Sequence, residues 1–176
     1  MRVLKALVLM LALGSCDEAT VITHVDKLSH MQLDDLWAMQ SEGGIPVEIH
    51  GNPFSGVDKA ALAAALRAPA AADKVRFRHV PIGEHTGNHG WRLVLHFNGL
   101  GPPNSQADCR LGAEAQTGPR PDEGFTVNLT FCKGTDWQAH GFLRSLKPRD
   151  GDLENFRDVM QQLMVVIFAE NADVDR

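Results

Sequence analysis

In Trp91-Arg-Leu-Val-Leu-His-Phe97 apolar and polar side chains largely alternate, which sends Trp91, Leu93, Leu95 and Phe97 to one side of a β-strand. The same period of two recurs upstream. Ile45-Pro-Val-Glu-Ile-His50 places Ile45, Val47 and Ile49 on one face, with Glu48 and His50 on the other. Val75-Arg-Phe-Arg-His-Val80, Phe125-Thr-Val-Asn-Leu-Thr-Phe-Cys132 and the stretch from Gln138 to Ser145 read as further strands.

Between these strands the period changes. Val57 to Ala68 is rich in alanine and leucine, with Ser55 or Asp58 available as a cap and Pro69 as a limit. Small side chains of this kind suit a helix lying close against a sheet. At the other end of the chain, Leu153, Phe156, Met160, Leu163 and Ile167 form an i, i+3, i+7 stripe that Val159, Met164 and Val166 widen. Asp152 stands ready to cap that helix. The order predicts an α+β fold over residues 45–176: a mostly antiparallel sheet of about five strands with two helices packed on one face.

The N-terminal residues read differently. Arg2 and Lys5 precede the apolar run Ala6 to Leu13, and Gly14-Ser15-Cys16 follows. That is the layout of a cleavable signal peptide over residues 1–15, and the run is too short to span a bilayer. Leu13-Gly14-Ser15-Cys16 resembles a bacterial lipobox. The resemblance implies that Cys16 becomes the N-terminus and carries acyl chains such as palmitate, anchoring the protein to a membrane facing the periplasm. Two or three such chains hold far more firmly than one, at about 0.8 kcal/mol per buried methylene. Asp17 resembles an inner-membrane retention signal, although which membrane holds the anchor stays open. Residues 16–44 then read as a lipidated tether. Within it Leu28, Met31, Leu36 and Met39 recur at nearly helical spacing.

Cleavage before Cys16 would leave 161 of the 176 residues, with 15 Lys+Arg against 22 Asp+Glu. An acidic chain lacks the basic footprint that nucleic acid demands. With Cys16 set aside, Cys109 and Cys132 remain, and an exported chain with an even remainder points to a disulfide. They flank the turn-rich Thr117-Gly-Pro-Arg-Pro-Asp-Glu-Gly124, so a hairpin centred on Arg120 and Pro121 would set residue 109 opposite 132. That register also mixes faces, setting Leu111 beside Thr130, so a bulge would have to intervene.

Histidine is the enriched reactive type, with eight in the chain. His79, His85, His89 and His96 fall within eighteen residues, and His79 would lie opposite 94 or 96 if the strands flanking the Gly83–Gly90 loop pair. Such a cluster would suit Zn²⁺ or Cu²⁺, which accept neutral imidazole nitrogen. The plainer expectation is a polar turn with no cofactor. Hydrolytic signatures are missing: no serine lies in Gly-x-Ser-x-Gly, and no glycine loop leads into a helix.

In architecture the chain resembles small envelope lipoproteins, among them the lipopolysaccharide-assembly lipoprotein and auxiliary lipoproteins of envelope transporters. In Pro46 to Phe54 and Trp91 to Asn98 it resembles uncharacterised alphaproteobacterial lipoproteins. The resemblance implies a lipid-anchored component of the cell envelope that binds or scaffolds another envelope protein. It implies no reaction.

Overall fold

The computed structural model describes residues 20–28, 31–40, 43–84, 90–121, 124–146 and 148–169. The signal-peptide residues, Cys16, His85 and His89 lie outside them. The elements in order are β1 (Thr20–Lys27), α1 (Asp35–Met39), β2 (Ile45–His50), α2 (Lys59–Ala65), a 3-10 turn (Ala70–Ala72), β3 (Phe77–His79), β4 (Trp91–Phe97), α3 (Ser105–Asp108), β5 (Phe125–Lys133), β6 (Asp136–Ser145) and α4 (Leu153–Phe168).

Among the described residues six strands form one open sheet in the order β1-β6-β5-β4-β2-β3. The architecture is α+β, as expected, but the sheet is mixed and larger than five strands. β4, β5, β6 and β1 pair antiparallel, whereas β2 runs parallel to both β3 and β4. Parallel neighbours need a crossover, and α2 with the 3-10 turn supplies the one between β2 and β3. Alternation shows which face a residue takes but not which strand lies beside it, so the parallel pairs stayed hidden.

Within the segment read as a tether, the described residues from Thr20 onward pack into the body. β1 pairs with β6 from Thr20↔Ser145 to Lys27↔Ala139, with a bulge between Thr23 and Asp26 where His24 takes a left-handed φ of 50°. Met31, Leu36 and Met39 are fully buried in the main core, the last two from α1.

That core lies on the face presenting Ile45, Val47, Ile49, Leu93, Leu95, Phe97, Val127, Leu129 and Leu143. Each fully buried Leu or Phe there contributes about 1.5–3 kcal/mol. α2, capped by Asp58 through the Ala61 amide, and α4, capped by Asp152 through the Asn155 amide, both pack on this face. Phe97, Phe125 and Phe156 meet at ring separations of 5.4–6.1 Å, with Phe54 against the last two. Gly141 lets α4 approach β6: a Cβ there would stand 2.7 Å from Leu163 Cδ1.

Two helices on one face were expected, and helical spacing allowed a further one in residues 16–44; among the described residues there are four. The unexpected one, α3, lies on the opposite face of the sheet, where Asp108 bonds His96 and Asn128. Cys109 follows α3 directly and is not in a strand, yet the bridge to Cys132 forms, with Cα atoms 5.6 Å apart. The expected hairpin between them is absent, because β5 takes β4 and β6 as its neighbours.

Candidate functional site

The second face of the sheet carries the chemistry. In-phase positions on β2, β4, β5 and β6 set side chains in rows across it: His50, His96, Asn128 and Phe142 in one, Glu48, Val94, Thr130 and His140 in the next. The long connection from β4 to β5, with α3 inside it, lies over these rows. Cys109–Cys132, Val94 and Trp137 make a small apolar cluster beneath it.

The polar side chains are therefore covered, not solvent-facing. Glu48 and Arg92 are both fully buried, with Arg92 Nε 3.2 Å from Glu48 Oε1. The other guanidinium nitrogens donate to the carbonyls of Gly134 and Cys109, at 2.5 and 2.6 Å. A buried charge needs this much compensation, since taking an ion from water costs several kcal/mol. Arg92 thus ties the cover to the sheet beside the disulfide.

His50 and His96 are neighbours in the row but differ in state. His50 Nδ1 accepts from the Ala115 amide at 3.1 Å, which puts its proton on Nε2, and burial pushes its pKa down to about 4. His96 Nδ1 lies 3.1 Å from Asp108 Oδ1 and its Nε2 lies 3.3 Å from the Gln116 carbonyl. Both partners are acceptors, an arrangement that favours a proton on each ring nitrogen. The Asp108 hydrogen bond correspondingly raises the His96 pKa, against the opposing effect of burial. Asn128 Nδ2 donates to the other Asp108 oxygen, leaving the buried Asn128 Oδ1 without a protein partner. Asn104 caps α3 through the Ala107 amide and so holds Asp108 in place.

Beside this triad is a cavity of about 260 Å³. His96, Asn128 and Phe142 line it from the sheet side; Asp108, Leu100, Pro102, Pro103, Ala107, Leu111 and Gln116 line it from the cover. Gly99 is required at its edge, because a Cβ there would stand 2.9 Å from the His96 ring. Glu114 fastens the end of the cover, bonding Lys59 Nζ at 2.9 Å and the Gly51 amide at 2.7 Å. Polar groups at one side of a largely apolar cavity suit recognition of a small molecule or side chain. His96 has neither ring nitrogen free, and each Asp108 oxygen takes a hydrogen bond, so the arrangement supports binding better than proton transfer.

The histidines expected to converge do not all do so. β2 lies between β3 and β4, so His79 is level with Val47 and Leu93 and stands two strands across and three residues along from His96, roughly 14 Å. The expected pairing of His79 with 94 or 96 is thereby corrected. Among the described residues no group of three or more His, Cys, Asp or Glu is placed to hold a metal ion. His140 meets Trp137 edge to face at 5.1 Å. Glu48, Arg92, Asp108 and Asn128 were not read as site residues. One signal pointed to them: Cys132 shares its phase with Asn128 and Thr130, so a bridge from Cys109 must bring the connection over the polar face.

No family profile matches the chain, and neither a curated protein nor a solved structure is significantly similar to it. No helix among the described residues is long and apolar enough to cross a membrane.

Proposed function

We propose that this is a lipid-anchored protein of the bacterial cell envelope, facing the periplasm, that binds or scaffolds another envelope component through the cavity beside His96. The observation that carries the binding half is the disulfide-clamped cover, which leaves a cavity, open on one side, beside the polar triad of His96, Asp108 and Asn128. The Leu13–Cys16 lipobox pattern supports the anchor, and a disulfide suits an oxidising compartment.

Intact-mass spectrometry of the membrane-extracted full chain tests the anchor. The expected mass is residues 16–176 plus acyl groups, rising by two protons on reduction; an unacylated soluble chain would overturn it. For the binding half, crosslinked envelopes from cells making the wild-type protein are compared with those making Ala107→Arg, which fills the cavity from an exposed position on α3. Capture of one envelope component by the wild type and its loss in the variant is expected. Equal capture by both would move the binding surface elsewhere.

A further inference from the structure

Building on the anchored reading, we propose that the end of the sheet carrying Val21, Leu100 and Leu146 rests on the lipid surface that holds the anchor. Thr20 opens β1, and only three residues separate it from Cys16. Four Cα steps reach about 14 Å when fully extended, less than half the length of a small domain. A protein acylated at Cys16 therefore has no room to swing away, and the face around Thr20 has to meet the bilayer.

The residues at that end suit the contact. Thr20 pairs with Ser145 and Val21 with Arg144; Thr126 also pairs with Arg144, and its carbonyl accepts from the Asn98 amide. The start of β1, the end of β6, the start of β5 and the end of β4 thus form one rim. On it stand Val21, Leu146 and Leu100, 48%, 46% and 63% exposed. Leu100 lies over Gly118, whose amide bonds the Asn98 carbonyl, so it belongs to the same rim. Exposed Arg144 lies between Val21 and Thr126, where a guanidinium can meet lipid phosphate. Val165 and Val166 are also exposed, but near the end of α4 where Phe168 packs on Phe131, at the opposite end of β5. The apolar rim and the point where the chain leaves for Cys16 coincide.

Single nitroxide labels test this on the full acylated chain in phosphatidylethanolamine–phosphatidylglycerol vesicles. Cys16 would be consumed as a thioether and Cys109–Cys132 is bridged, so Leu100→Cys, Leu146→Cys and the control Val165→Cys each carry the only reactive thiol. The expected result is a gain in oxygen accessibility and a loss of accessibility to an aqueous nickel chelate at 100 and 146, but not at 165. An acylated, vesicle-bound protein with all three labels equally water-accessible overturns the inference and leaves the anchor standing. The same holds if 100 and 146 become protected only on adding a protein extract. A mass spectrum without acyl groups overturns the anchored reading and this inference together.

Discussion

The rings of His50 and His96 lie 6.0 Å apart on neighbouring parallel strands, yet their pKa values are pushed in opposite directions, His50 down and His96 up. Their partners decide it. An amide N–H aimed at His50 Nδ1 requires a lone pair there, whereas a carboxylate and a carbonyl around His96 favour the protonated ring.

Stability should therefore fall on both sides of a middle pH. As pH drops from 6.5 toward 4, the unfolded chain takes a proton that folded His50 refuses, and stability is lost; His79 and His140, both lowered by burial, add to this limb. His96 works the other way. Its contribution is complete below 6.5 and disappears as pH rises through its raised folded value. Urea unfolding across pH should show both limbs. His50→Gln should make the acid limb shallower, leaving the part due to His79 and His140, and Asp108→Asn should flatten the alkaline one.

Loss of the bridge should be costly and local. Its ends are 23 positions apart, and a loop of that size is worth roughly 3 kcal/mol in the chain-entropy account. Cys109→Ser with Cys132→Ser should lower the urea midpoint by about that amount. Because Asp108 adjoins Cys109, the NMR titration of His96 should also shift toward the ordinary imidazole value.

The buried ion pair predicts a non-additive cycle. Glu48→Leu leaves the Arg92 charge buried without its carboxylate and should cost about 3–5 kcal/mol, as should Arg92→Met for the Glu48 charge. Glu48→Leu combined with Arg92→Met removes both charges and should cost less than the two single losses added together. Equilibrium unfolding of the four proteins gives the coupling directly.

Two glycines with left-handed φ should respond unequally to substitution. At Gly124 (φ 69°) a Cβ would stand 1.8 Å from the Ser145 carbonyl oxygen, so Gly124→Ala should destabilise by well over about 1 kcal/mol. At Gly134 (φ 58°) nothing lies within 4 Å, and Gly134→Asn, at the β5–β6 turn, should cost little. Thermal unfolding of the two variants separates steric conflict from backbone preference.

Much of the core was legible. β4 and α4 carry their apolar residues at the period of their own structure, and tertiary packing buries the same faces. β1 was missed because the bulge at His24 breaks its alternation and because both of its faces are polar enough to read as a tether. The site was missed for a different reason. A polar residue in an alternating strand reads as solvent-facing, and only an irregular connection, which has no period of its own, turns Glu48, His50 and Arg92 into buried groups.

The two margins of the sheet carry a last consequence. β3 offers a neighbouring chain three residues, and β1 is kinked where His24 adopts its left-handed backbone. Neither is a straight template along which another molecule's strand could add. Many copies confined to the same two-dimensional surface would collide far more often than in free solution. On the anchored reading proposed above, such crowding would concentrate the protein without driving edge-to-edge polymerisation along β1 or β3.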